Sequence, residues 1–218
     1  MSLCVEGAPP PGSSDWFSSL SKDTPKSRRT RVRILEAAMR LFAEVGYHAA
    51  TNAMIADAAG LTRGAMLYHF PSREDLVAAA IEHMHAERLA LFDNAAIPPM
   101  GVDATAHAIG AYWSLLGEAP FVAFGELEAV ARTDAMVRER LAPAQAAFDQ
   151  AQVAALAQAG QGQRFQASRD LARFLLEGLA HGNLAYDRDG RVKNLIAVVD
   201  RAVRMLNRKG DVQELWPE

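Results

Sequence analysis

The spacing of apolar residues is the strongest constraint on how this chain can fold. In residues 31–45 apolar side chains recur every three or four positions before a glycine, at Ile34, Ala38, Leu41, Phe42 and Val45. That period predicts an amphipathic helix. The same period continues towards the C-terminus, and no stretch shows the sustained polar–apolar alternation of a half-buried strand. The sequence therefore predicts an all-α protein of about nine helices.

Capping and breaking residues divide the remaining pattern into further helices. Thr51 and Gly60 bound the second helix, and the third spans about 62–70, where Pro71 ends it. A long fourth helix follows to about residue 96, before Pro98 and Pro99. Later helices are predicted over 103–117, 120–132, 134–159, 165–185 and 192–208, separated by turn residues that include "GQGQ" at 160–163 and "DRDG" at 187–190. We expect Pro143 to kink the helix that contains it.

Charge and composition divide the chain into three segments. Residues 1–25 hold three consecutive prolines and no helical period, and they are expected to form a flexible tail. Residues 26–75 carry eight Lys or Arg against five Asp or Glu, whereas residues 76–218 carry 14 against 18. A small positive unit joined to a larger negative one suggests that only the first unit meets a polyanion.

Several classes of protein are disfavoured by what the sequence lacks. No apolar run is long enough to cross a membrane, and the N-terminus does not resemble a secretion signal, so we expect a cytoplasmic protein without a membrane partner. A single Cys4 excludes an internal disulfide and gives no metal-ligand spacing. No nucleotide-binding, metalloprotease or serine-hydrolase motif is present. We therefore expect no enzyme, no cofactor and no metal.

Residues 51–70 have the pattern of a helix-turn-helix unit. Gly60 supplies the turn, small residues lie where the helices cross, and Ile55, Leu61, Leu67 and Phe70 are placed to form a small core. In such a unit the second helix lies in the DNA major groove, with its N-terminal residues against base edges. Ordinary core packing explains the same periodicity equally well. The basic run "KSRRTRVR" favours DNA, since Arg28, Arg29 and Arg31 could follow phosphates or enter a groove.

The segment "RILEAAMRLFAEVGYHAATNAMIADAAGLTRGAMLYHFPSREDLVAAAI" is similar to the N-terminal domain of the tetracycline-repressor (TetR) family of bacterial transcriptional regulators. The resemblance covers about residues 30–81. It implies phosphate contacts from Thr51, Arg63, Tyr68, His69 and Arg73, and base-facing positions at Thr62 and Ala65. Leu67 departs from the family pattern, which commonly has tyrosine there, so we expect Leu67 to pack inward.

The resemblance also implies what residues 76–218 do. The last two helices would form a homodimer interface, for which the apolar stripes nominate Leu171, Leu175, Leu179, Leu195, Val199 and Val203, although periodicity does not separate an interface from burial within one chain. Candidates for a small-molecule pocket are Met84, His107, Trp113, Phe121, Phe124, Glu126 and Phe174. The expected function is a homodimeric repressor that a small-molecule effector releases from palindromic double-stranded operator DNA. The alternative is a DNA-binding activator or architectural protein without an inducer.

Overall fold

A computed structural model describes residues 24–158, 166–182 and 188–209, and within them every regular element is an α-helix. The predicted all-α fold is therefore confirmed. The helices are α1 Pro25–Val45, α2 Asn52–Ala58, α3 Arg63–His69, α4 Arg73–Ala95, α5 Ala104–Leu115, α6 Ala119–Ala131, α7 Ala135–Gln158, α8 Gln166–His181 and α9 Arg188–Lys209. Most of the predicted tail, residues 1–23, lies outside the described residues, as does the "GQGQ" break at 160–163.

Helix α1 begins earlier than the apolar period indicated. Thr24 is its N-cap, and the Thr24 hydroxyl accepts a hydrogen bond from the Ser27 N–H at 3.2 Å. Pro25 follows at the first helical position, where a missing N–H costs nothing. The polar first turns carry no apolar stripe, which is why periodicity placed the start near Arg31. The basic run is thus helical.

Helices α2 and α3 form the predicted helix-turn-helix. The hydroxyls of Thr51 and Thr62 cap them by accepting hydrogen bonds from Met54 N at 3.3 Å and Ala65 N at 3.2 Å. Between them Gly60 takes a left-handed conformation, with φ at +64°, that side chains rarely tolerate. A short turn of fixed geometry therefore sets the angle between the two helices.

Helix α7 contains Pro143 and runs as one element from Ala135 to Gln158, in agreement with the helix predicted over 134–159, and the kink at Pro143 stays a prediction. One other break differs from the prediction. Helix α9 begins at Arg188, so the last part of the "DRDG" segment is its first turn and not a break. The sequence signal was ambiguous because aspartate and glycine are as common at helix starts as in loops.

One apolar core joins the DNA-binding unit to the rest of the molecule. It contains residues of α1 to α4 together with α6 and the first half of α7, among them Ile34, Phe70, Met84, Phe124 and Leu141. The most extensive contact between described helices is that of α1 with α6. The sequence-based boundary at residues 75–76 falls inside α4, whose Leu76 and Val77 are buried in this core.

A second core lies among α5, α7, α8 and α9. Ile109, Tyr112, Phe148, Leu176 and Val203 are buried in it. Asp103 caps α5 by accepting from Ala106 N at 2.8 Å, and its carboxylate also pairs with the Arg204 guanidinium of α9 at 2.8 Å. The start of α5 is thereby fixed to α9.

The loop between α1 and α2 is held from two sides through the peptide groups of Tyr47. The Tyr47 N–H donates to Glu126 Oε1 of α6 at 3.0 Å, and the Tyr47 carbonyl accepts from Arg73 Nη2 of α4 at 2.9 Å. Arg73 Nη1 also donates to the Ala50 carbonyl at 2.7 Å. At Gly46, with φ at +85°, a Cβ would lie 2.9 Å from Glu126 Oε1, so glycine permits this close approach.

Replacing Arg73 by glutamine should destabilise the fold. The Arg73→Gln variant loses charge-assisted hydrogen bonds to two partly buried carbonyls, and we expect the free energy of unfolding to fall by about 2–3 kcal/mol in urea denaturation. Arg140→Gln, at an exposed position of α7, is the matched control and should change it by less than about 0.5 kcal/mol. Equal stability of the two variants would contradict this role for Arg73.

Candidate nucleic-acid interface and ligand cavity

The outer face of α3 carries polar side chains, several of which are exposed to solvent. Thr62 and Arg63 are exposed at its N-terminus, Ala65 is half-buried, and Tyr68 is 83% exposed. His69 is half-buried, and its ring lies edge-on to that of Tyr68, 5.3 Å between centroids. Thr62, Arg63 and Tyr68 are therefore exposed, and the predicted contacts of these residues with DNA stay predictions.

The inner face of α3 explains why this outer face is so well defined. Met66 and Phe70 are fully buried in the first core, and Leu67 is half-buried and packs against it. Leu67 thus contributes to packing, as its departure from the family pattern suggested. Apolar residues on one side leave the opposite side of a two-turn helix for solvent or DNA.

The basic run at the start of α1 divides into two groups. Lys26, Arg28 and Arg29 are exposed near the N-terminus of the helix, and Lys26 was not among the predicted contacts. Arg31 instead donates from Nη1 to the His69 carbonyl at 2.8 Å and stacks on the Phe70 ring at 4.4 Å. Arg33 donates to the Ala59 carbonyl. The prediction that Arg31 follows phosphate therefore needs correction, since Arg31 braces the end of α3 from inside.

Arg73 requires the same correction. It was expected to reach a flanking phosphate, but its guanidinium is occupied by the Tyr47 and Ala50 carbonyls and by Asn52 Oδ1 at 3.2 Å. It also lies over the rings of Phe42 and Tyr47. A guanidinium satisfied by backbone carbonyls holds the start of α2 in place. The donor chemistry is the same for a phosphate and a carbonyl, so the sequence alone did not distinguish them.

The residues predicted for a ligand pocket do not surround one cavity. Met84 and Phe124 are fully buried in the first core, and Phe121 is buried in the second. Glu126 binds Tyr47 N, and His107 is bonded through Nε2 to the Ala95 carbonyl at 2.9 Å. Trp113 packs against the second core. Phe174 is exposed beside a groove between α7 and α8. Large side chains at helical spacing proved to be mostly core.

A cavity of about 210 Å³ instead opens among the C-terminal end of α4 and helices α5, α7, α8 and α9. Most of its lining is apolar, including Phe92, Ile109, Leu115, Leu176 and Val203. The polar lining residues are Thr105, Tyr112, Gln152, Ser168, Arg169, Arg173 and Asn207, three of which lie on α8. An apolar cavity with a few grouped polar side chains is the usual form of a small-molecule site. Sequence reasoning missed it because alanine and small polar residues form much of its wall.

A buried arginine lies behind the cavity. Arg88 of α4 is 4% exposed, and its guanidinium stacks on the rings of Phe124 at 3.6 Å, Phe148 at 4.2 Å and Phe121 at 5.0 Å. Within the described part of the chain, neither its Nε nor its Nη1 has a hydrogen-bond partner. Burial lowers the pKa of Arg88 to about 10, so the side chain stays charged at neutral pH.

Tyr112 connects this arginine with α8. Its hydroxyl donates to Glu177 Oε1 at 2.7 Å, and its ring lies edge-on to Phe121 of α6, 6.3 Å between centroids. Burial, together with the Glu177 charge, raises the pKa of the Tyr112 phenol, which therefore remains a neutral donor. One side chain thus lines the cavity and contacts α6, the helix that reaches the DNA-binding unit.

The residues predicted for a dimer interface fall on two sides of α8 and α9. Leu171, Leu175 and Leu195 are exposed, and Leu179 is half-buried. Val199 and Val203 are buried in the second core of the same chain, so their assignment to an interface needs correction. The exposed apolar residues beside the three leucines are Phe174, Val198 and Met205.

A membrane-spanning helix and a metal-binding cluster are both absent from the described residues. No helix among them is long and apolar enough to cross a membrane. In the same residues no three His, Cys, Asp or Glu side chains are grouped so that they could hold a metal ion.

Comparison with known proteins places the N-terminal helices in a family. The family model described as "Bacterial regulatory proteins, tetR family" matches residues 34–80. The HTH-type transcriptional regulator TtgR of Pseudomonas putida is 42% identical over 60 residues, which are 28% of this chain and 29% of TtgR. The match with this curated relative therefore spans less than a third of its length.

Solved structures resemble the chain over most of its length. GusR of Salmonella enterica superposes with a TM-score of 0.64 at 23% identity, covering 86% of this chain and 99% of that one. The multidrug binding protein EbrR, in a complex with imidazole, gives a TM-score of 0.56 at 20% identity, covering 78% and 93%. At these identities the likeness establishes the fold. The match over residues 34–80 therefore shows that this segment is similar to the tetR family of bacterial regulatory proteins, and it contains the helix-turn-helix described above.

Proposed function

We propose that this protein is a homodimeric transcriptional repressor that binds a palindromic operator and is released by a small molecule. The observation that carries the proposal is the outer face of α3, which presents exposed polar side chains from a helix anchored by Met66 and Phe70. Thr62 and Arg63 lie at the N-terminal end of α3, the end of a recognition helix that meets base edges. Tyr68 and Thr51 carry exposed hydroxyls suited to phosphate oxygens.

Selection of bound sequences from random duplex DNA with the purified protein tests the proposal. A two-fold symmetric consensus with half-sites about one helical turn apart is expected for a dimer with two recognition helices. Recovery of no consensus at moderate salt would overturn it.

Removing the charge of Arg63 should weaken binding to the selected duplex. If the Arg63 guanidinium contacts a base, Arg63→Ala should weaken the binding free energy by about 1–3 kcal/mol. If it neutralises a phosphate, the slope of log affinity against log salt concentration (the salt slope) should decrease by about 1. A salt-titrated gel shift measures both. Arg208→Ala, an exposed arginine at the end of α9, is the control and should bind like the original protein. Unchanged affinity and slope for Arg63→Ala would remove this residue from the interface.

The exposed group at the start of α1 should contribute affinity without specificity. The triple variant Lys26→Ala, Arg28→Ala, Arg29→Ala leaves the braces at Arg31 and Arg33 intact, so the fold should survive. We expect weaker binding to all duplexes and a salt slope smaller by about 2–3, since each lost phosphate contact lowers it by about 0.9. If both quantities stay unchanged in the same gel shift, these three side chains do not touch DNA.

An apolar face on α8 and α9 supports dimerisation. Exposed apolar residues lie at 171, 174 and 175 on α8 and at 195, 198 and 205 on α9, and Phe174 and Val198 are each 62% exposed. Large contiguous apolar surface is typical of a protein interface. We infer that this face packs against the same face of a second chain, as a two-fold axis requires.

Placing charges on this face should separate the subunits. The double variant Phe174→Glu, Val198→Glu is expected to sediment as a single chain where the original protein sediments as a dimer, because two carboxylates per chain would be buried without partners. Met100→Glu, at a fully exposed apolar position outside the face, is the control. A double variant that remains dimeric would refute this interface.

The proposed release has a physical route through α6. An effector in the cavity would contact Tyr112, whose ring lies against Phe121 of α6. Glu126 lies further along the same helix and holds Tyr47 N beside the DNA-binding unit. Movement of α6 would therefore change the position of α2 and α3, and a difference of about 1–3 kcal/mol between the two states suffices for useful coupling.

A further inference from the structure

The polar side of the cavity is unevenly charged. Arg169 and Arg173 lie one turn apart on α8, and both line the cavity and the neighbouring groove between α7 and α8. Their carboxylate partners Asp149 and Asp170 line only the groove. A molecule in the cavity therefore meets two guanidiniums, while the opposing charges lie on the outer side in solvent.

Two unsatisfied groups point to the chemistry of the occupant. Among the described residues, Arg169 Nη1 is buried without a hydrogen-bond partner, so one donor is available for an acceptor. Gln152 is only 5% exposed, and its Oε1 likewise has no donor within that part of the chain. Buried polar atoms are rarely left unpaired, because each costs the free energy of its lost hydration.

The buried charge of Arg88 adds to this positive potential. Its guanidinium lies over the ring of Phe121, which contacts the cavity-lining Tyr112, and apolar surroundings screen a charge far less than water does. Glu128 and Glu177 partly offset the Arg88 charge, and Glu177 is also paired with Arg173 at 3.5 Å and with the Tyr112 hydroxyl. A cation in the cavity would thus be repelled, whereas a monoanion would be stabilised.

We propose that the cavity takes a small, mainly apolar carboxylic acid that also carries a hydroxyl or N–H donor. The carboxylate lies against Arg169 and Arg173, the donor meets Gln152 Oε1, and the ring or chain between them packs on Ile109, Leu176 and Val203. This inference gives the chemical class of the effector and so rests on the proposed function.

Three probes of similar shape test the charge. 4-Hydroxyphenylacetate, its neutral amide and the cation tyramine are titrated into the DNA-free protein at pH 7 by calorimetry. The acid is expected to bind about tenfold or more tightly than the amide, the difference that a charge-assisted hydrogen bond makes, and tyramine is expected to bind least. Equal or tighter binding of the amide or of tyramine, or binding of none of the three, would overturn the proposal.

Variants then test the named groups. Arg169→Gln and Arg173→Gln should each weaken the acid about tenfold and leave the amide unchanged, while Arg140→Gln should alter neither. Gln152→Leu keeps the cavity wall apolar, and it should remove the preference for 4-hydroxyphenylacetate over phenylacetate. If the Gln152→Leu variant still prefers 4-hydroxyphenylacetate over phenylacetate, the assignment of Gln152 is contradicted. If both arginine variants keep their helical content and bind the acid as tightly as the original protein does, the assignment of the two arginines is contradicted.

Because these titrations contain no DNA, the two proposals can fail separately. A protein released from its selected duplex by tyramine would keep the proposed function and lose this inference. If the protein binds the acid but selects no duplex, the cavity assignment stands and the proposed operator binding is contradicted.

Discussion

The burial of one apolar core shared by α1, α4 and α6 is the constraint on which the rest of the structure depends. Ile34, Leu76 and Phe124 come from three segments far apart in sequence, and all are fully buried together. Burying side chains of this size contributes about 1.5–3 kcal/mol each. The helix-turn-helix, too small to bury such a core alone, is positioned by α4 and α6.

Polar contacts convert that shared core into a defined geometry. Tyr47 is held through its N–H by Glu126 and through its carbonyl by Arg73, so the loop before α2 cannot move without disturbing α4 or α6. Arg88 lies deeper, a charge stacked among three phenylalanine rings. A buried charge without full hydrogen bonding is costly compared with an apolar residue of similar size. Its presence beside the cavity therefore suggests a role in binding and not in stability.

Local signals in the sequence predicted most of the helices, but not the partners of several side chains. Thr51, Thr62, Gly60 and Pro71 mark caps and turns through short-range chemistry, and the structure places breaks there. For Arg31 and Arg73 the sequence showed donors near a DNA-binding helix, yet backbone carbonyls brought close by folding occupy both. On α9, helical period gave a broad apolar stripe, and only packing decided that Val199 faces inward while Val198 faces solvent. The cavity forms where five helices meet, and no single stretch of sequence records that meeting.

The shared core has a further consequence for how the molecule melts. Cutting the chain after α3 would expose Ile34 and Phe42 of α1 to water, since α1 packs against the later helices α4 and α6. The recognition unit should therefore not survive as an excised fragment, and heat should unfold both halves in a single cooperative transition. Any compound that binds the C-terminal helices would then also protect the helix-turn-helix against unfolding on heating.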